Sequence, residues 1–135
     1  MYKIDHINRY VRSVDKTVTF YTQALGFLLI DDGIKADGKP YAVLRSVDHL
    51  LFVSESDKYI ESQCPNFRHV GYCVANVEEI LRDLKGKVYA PQEATCVIKP
   101  YSKQVYITDP DGVEIDLIQW TDKVDFFKTC KYMKD

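Results

Sequence analysis

The sequence predicts an α+β fold of two βαβββ modules, residues 1–56 and 66–120, with a C-terminal helix at 121–135. Three observations predict it. The order strand, helix, then three or four strands occurs twice along the chain. The first strand–helix junction of each half carries the same residues: His6 and His69 are 63 positions apart, and at that offset Val11 meets Val74, Val14 meets Val77 and Asp15 meets Glu78. A match in register with the element order marks two fused modules, since the period is too long for a solenoid. Finally, 135 residues, 46% hydrophobic and 28% charged, suit one folded domain and not a disordered chain.

The elements follow in order. Residues 2–11 (YKIDHINRYV) alternate and are rich in β-formers, which predicts a strand. Asp15 is the expected helix N-cap after Val14, with Val18, Tyr21 and Leu25 at helical spacing and Gly26 as terminator. Strands are expected at Phe27–Asp31, Tyr41–Ser46 and His49–Ser54, with a turn at Asp37-Gly38. Residues 57–66, including Cys64-Pro65-Asn66, read as the linker. The second half opens with a strand at Phe67–Val74. Asn76 caps a helix through Val77, Ile80, Leu81 and Leu84, which Gly86 closes. Strands follow at Lys87–Ala90, Thr95–Lys99, Gln104–Thr108 and Glu114–Gln119, the last two joined by a tight turn at Asp109-Pro110-Asp111-Gly112.

Composition excludes several function classes. A net charge of -2, spread along the chain, gives no basic stripe for nucleic acid and no polybasic patch for a membrane. No apolar run approaches the roughly 20 residues of a membrane helix, and MYKIDHINRY lacks a signal-peptide core, so a cytoplasmic protein is expected. Cys64, Cys73, Cys96 and Cys130 form no CxxC pair, which argues against a thiolate metal site. Cys73 and Cys96 lie in apolar runs and read as buried reduced thiols.

His6 and His69 stand at equivalent places in the two opening strands, and pseudo-symmetry would turn both to a shared cleft. Imidazoles with a nearby carboxylate are a ligand set for a divalent ion. The carboxylate comes from EIDLIQ, where Glu114 and Asp116 share one face and Ile115 and Leu117 the other. An acid within an apolar strand is costly to bury unless it is paired or metal-bound. The alternative for Glu114 and Asp116 is the solvated face of an edge strand, and for a strand histidine a purely structural place. His49 reads as a turn or strand-end residue.

Three segments together resemble the vicinal oxygen chelate superfamily of glyoxalases, bleomycin-resistance proteins and extradiol dioxygenases. They are IDHINRYVRSVDKTVTFYTQALGF (4–27), RHVGYCVANVEEIL (68–81) and YITDPDGVEIDLIQ (106–119). The resemblance runs to about Trp120 and is specific for fold more than for activity. It implies one divalent ion (iron, manganese, zinc or nickel, which the ligand types do not distinguish) held by His6, His69 and Asp116. Asp116 stands where the family usually has glutamate, one methylene longer. Glyoxalase I relatives add a fourth ligand in the last strand of the first module, where the register here puts Phe52 or Val53, with His49 and Glu55 nearby.

The resemblance implies an enzyme acting on a small molecule with adjacent oxygens: a dioxygenase, a lyase or isomerase, or an epoxide-opening enzyme. The absence of an acid at Phe52 or Val53 favours the oxygenase-like or epoxide-opening types over glyoxalase I (lactoylglutathione lyase). A metal-free, drug-sequestering protein is the competing expectation, and Tyr10, Tyr41, Phe52, Tyr106 and Trp120 would line its cleft or else fill the core. A homodimer is expected from the same resemblance. Beyond the last strand, Val124, Phe127 and Cys130, with Phe126 and Met133, give a helical apolar stripe that must be buried against the sheet or a second subunit.

Overall fold

Alternating apolar residues on the central strands and one apolar face on each of the first two helices build the same sheet-and-helix unit twice. The computed structural model describes residues 3–61, 66–85, 87 and 94–133. Residues 88–90 of the expected Lys87–Ala90 strand, the terminator Gly86 and residues 62–65 of the linker, Cys64 included, lie outside the described residues.

The first unit, Met1–Phe67 with Asp109–Val113, contains β1 (His6–Tyr10), α1 (Val14–Gln23), β2 (Leu28–Ile34), β3 (Pro40–Arg45) and β4 (Leu50–Ser54). Its sheet has the order β1-β4-β3-β2, with β1 parallel to β4 and the other pairs antiparallel. Ser13, and not Asp15, caps α1, its side chain accepting the Lys16 N–H at 3.2 Å. The buried helix stripe is Val14, Thr17, Phe20 and Tyr21, shifted from the expected Val18 and Leu25. After the helix, Gly26 takes φ +71°, which a side chain would resist, and Phe27 N–H then reaches the Tyr21 carbonyl at 2.9 Å. Ala42, Leu44, Leu51 and Val53 form the sheet's side of this core.

The second unit, Arg68–Thr108 with Glu114–Asp135, contains β5 (Val70–Cys73), α2 (Val77–Lys85), β6 (Val97–Lys99), β7 (Ser102–Thr108), β8 (Glu114–Trp120) and α3 (Lys123–Thr129). The order β5-β8-β7-β6, with β5 parallel to β8, repeats the first sheet. Asn76 accepts the Glu79 N–H at 2.9 Å, as its capping role requires. Val77, Leu84, Val105, Ile107, Ile115 and Leu117 fill the core.

The turn between β7 and β8 is built by Asp109, whose Oδ1 accepts the N–H groups of Asp111 and Val113 at 2.9 and 3.0 Å while Gly112 adopts φ +81°. Asp109 Oδ2 accepts from Arg9 at 2.7 Å and from the Tyr21 hydroxyl at 3.0 Å, so the aspartate's two oxygens tie the turn to β1 and α1.

Two expectations change. Cys73 is exposed, because its pairing with Ile118 puts it on the face away from α2, and Cys96 is only half-buried; both are free thiols, as is Cys130. The C-terminal helix is shorter than expected and none of its residues is buried. Phe126 is the side chain that packs, 5.0 Å from the Trp120 ring, whereas Val124, Phe127 and Met133 stay exposed.

Candidate functional site

Strand alternation and register decide which side chains share a face. In the second sheet, Asp116 pairs with Gly71 on β5 and Tyr106 on β7. Ile115, Leu117, Val105 and Ile107 face α2, so Asp116, Glu114, Tyr106, Gln104 and Trp120 occupy the opposite face. His69, just before β5, joins them: its Nε2 lies 3.7 Å from Asp116 Oδ2, its Nδ1 is 3.4 Å from Glu114 Oε1, and its ring meets Tyr106 edge-on at 5.8 Å.

Asp116 is 5% exposed, which rules out the solvated-face alternative for it. Gln104 Nε2 donates to its Oδ2 at 2.6 Å, whereas Oδ1 is buried without a hydrogen-bond partner. Burial pushes the Asp116 carboxyl above its ordinary pKa, and Glu114 adds to this; the Gln104 hydrogen bond and the charges of His69 and Lys99 oppose it. A buried carboxylate with an orphaned oxygen beside an imidazole is the arrangement that a cation relieves.

In the first unit, His6 opens β1 and is half exposed. Its Nδ1 is 2.7 Å from Asp5 Oδ2 and its ring meets Phe52 edge-on at 5.2 Å. Asn8 pairs with Phe52 as Gly71 pairs with Asp116, so strand register makes Phe52, and not the Val53 that the 63-residue offset gives, the first unit's counterpart of Asp116.

The two alternative ligands are otherwise engaged. His49 sits before β4, with Nδ1 2.9 Å from Asp48 and its ring edge-on to Phe27 at 6.1 Å. Glu55 Oε2 accepts the N–H of Val14, the first residue of α1, at 3.0 Å. Gln119 does the same for Val77 of α2 at 2.9 Å, so Glu55 belongs to a repeated helix-docking contact.

His69 and Asp116 fit a divalent ion: a neutral imidazole and a carboxylate, spaced within what two donors about 2.1 Å from one ion can span. Among the described residues, no group of three or more His, Cys, Asp or Glu is arranged to hold a metal. The structure brings together His69, Asp116 and Glu114, which the sequence singled out, and adds Gln104, whose diagonal strand contact with Asp116 is not revealed by spacing along the chain.

The aromatic expectation also resolves. Tyr10, Tyr41 and Phe52 share the face of His6, and Tyr106 and Trp120 that of Asp116, by strand register. None of the five belongs to the buried core.

Residues 3–117 match the model of the Glyoxalase/Bleomycin resistance protein/Dioxygenase superfamily. The chain belongs to that superfamily. Solved structures of similar fold include a glyoxalase family protein from Enterococcus faecalis, at 21% identity and TM-score 0.70, covering 86% of this chain and 96% of that one. TnmS3, an antibiotic binding protein from Streptomyces sp. CB03234, matches at 19% identity and TM-score 0.67, covering 89% and 97%. The fosfomycin resistance protein FosX from Listeria monocytogenes matches at 14% identity and TM-score 0.71, covering 93% and 97%. No curated protein matches the chain in sequence. Among the described residues, no helix is long and apolar enough to cross a membrane.

Proposed function

We propose that the protein is a metal-dependent enzyme of this superfamily, acting on a small molecule with two adjacent oxygens. The observation that carries the reading is the His69–Asp116 pair, with Asp116 buried and one of its oxygens orphaned. His69 and Asp116 would hold the ion, and His6 is the third ligand that the family resemblance assigns. The ion, when bound, would act as a Lewis acid towards substrate oxygens. Around it, Gln104 orients the Asp116 carboxylate, Glu114 faces the outer nitrogen of His69, and Tyr106 supplies an aromatic edge. Because Phe52 occupies the position equivalent to Asp116 and Glu55 docks α1, the reading favours an oxygenase-like or epoxide-opening site over glyoxalase I. A small-molecule substrate and a cytoplasmic homodimer complete the proposal.

A mutant of FosX has also been solved as a complex with Mn(II) and 1S,2S-dihydroxypropylphosphonic acid, which makes Mn(II) a sensible first probe. Protein purified without chelator is analysed for metal, then soaked with Mn(II), Fe(II), Zn(II) and Ni(II). One equivalent, lost in His69→Ala, is the expected result. Less than about a tenth of an equivalent with every ion would transfer the assignment to metal-free binding. That second reading has its own support in the aromatic side chains left outside the core on the helix-free faces. Methylglyoxal with glutathione in the presence of Ni(II) or Zn(II) tests the glyoxalase alternative directly. Robust turnover lost in Glu55→Gln or His49→Ala would establish it.

A further inference from the structure

We infer that Gln104 is a positioning residue, holding the Asp116 carboxylate turned towards His69. The inference rests on the metal reading above and adds a residue to it.

Gln104 stands opposite Ile118 on β8, and Tyr106 opposite Asp116, so Gln104 is the diagonal neighbour of Asp116 across the β7–β8 pair. Diagonal side chains on one face are within reach only when one of them is long. Gln104 is long enough, and its Nε2 donates to Asp116 Oδ2 at 2.6 Å. A carboxylate only accepts, so the amide has one orientation: its NH2 meets Asp116 and its Oε1 points elsewhere. Oε1 is itself buried without a hydrogen-bond partner, so the amide is not placed there to satisfy itself. Gln104 is 6% exposed, next to the fully buried Val105. A buried amide that forgoes half its hydrogen bonding and spends the other half on one carboxylate oxygen is there for that oxygen.

The oxygen it holds is the one 3.7 Å from His69 Nε2. Asp116 is one methylene shorter than glutamate, so its carboxylate stays close to its own strand and can rotate about fewer bonds. A single clamp on Oδ2 then fixes which way it faces. Partners of ligand residues commonly contribute ten- to a hundred-fold in metal affinity by this route.

The test is Mn(II) binding to the full chain, followed by titration and by electron paramagnetic resonance, in four proteins beside the wild type: Gln104→Met, Gln104→Asn, Asp116→Glu and the double variant Gln104→Asn/Asp116→Glu. Gln104→Met keeps length and removes the amide; Gln104→Asn keeps the amide and removes its reach. Each should weaken Mn(II) about ten- to a hundred-fold and change the bound-ion spectrum. The double variant moves one methylene across the strand pair and preserves the total span, so affinity should return to within about threefold of wild type. General packing damage would not be repaired by this exchange. If both single Gln104 variants bind as wild type does, or if the double variant is no better than Gln104→Asn, Gln104 does not position Asp116. If the wild type takes up no Mn(II), the metal reading falls and this inference with it. That outcome is read before any variant is made, so the two failures are distinct.

Discussion

The two units share a frame and differ in what they place at one equivalent strand position. In both, the residue just beyond the parallel strand pairing docks the helix: Glu55 accepts from Val14 and Gln119 from Val77, at 3.0 and 2.9 Å. In both, an opening-strand histidine lies on the face away from the helix. Yet His6 meets a phenyl ring at Phe52, and His69 meets a carboxylate at Asp116. Helix docking is set by backbone groups that every copy of the module must satisfy, so it tolerates only isosteric change. The free face carries no such demand and can diverge, one copy becoming an aromatic surface and the other carrying a histidine–carboxylate pair.

The strongest way to break this comparison is to remove the two histidines in turn. His69→Ala should weaken Mn(II) at least about a hundred-fold, because a direct ligand is lost. If His6 completes the set, His6→Ala should do nearly as much; an unchanged affinity in titration calorimetry would confine the site to the second unit.

Replacing the carboxylate comes next. Asp116→Asn should raise the stability of metal-free protein by roughly 1 kcal/mol while abolishing metal uptake, since it removes a charge that burial disfavours. The sign follows from proton binding. The folded-state pKa of Asp116 is raised, so above the ordinary carboxylate pKa the folded chain holds more protons than the unfolded chain. Stability therefore falls as pH rises through that window. Urea melts between about pH 4 and pH 7 should show this loss in the metal-free wild type and less of it in Asp116→Asn. A loss of the same size in both would assign the effect elsewhere.

The smallest effects sharpen the shared half of the comparison. Glu55→Ala should lower stability by about 1 kcal/mol through the undocked α1 terminus. Glu55→Gln copies the second unit's own solution and should cost only about 0.3 kcal/mol. Neither should alter Mn(II) affinity; a loss of affinity in Glu55→Gln would restore Glu55 as a fourth ligand.

Much of this was legible in the chain. The offset between His6 and His69 marked the duplication, but it pairs Asp116 with Val53, and only strand register made Phe52 the equivalent residue. Alternation in EIDLIQ put Glu114 and Asp116 on one face, because a strand's side-chain period is two. The first cap was misplaced by two residues: Ser13 and Asp15 are both N-cap residue types, and Val14 entering the core with Thr17 and Tyr21 put the helix start at Ser13 and not at the expected Asp15. The stripe expected on the C-terminal helix failed for a similar reason, since periodicity names apolar residues without saying which find a partner, and only Phe126 meets Trp120.

What the sequence by itself determined is the order of elements, the two-fold repetition and the residue types available for chemistry. These depend on local propensity and period. Only the tertiary structure decided that Asp109 binds Arg9 and Tyr21, that Glu55 serves a helix, and that Gln104 reaches Asp116. Each of these contacts joins different elements, with its partners between 12 and 100 residues apart, and is set by strand register and helix docking. Such register is fixed by burying whole faces at once, a property that no short stretch of sequence carries.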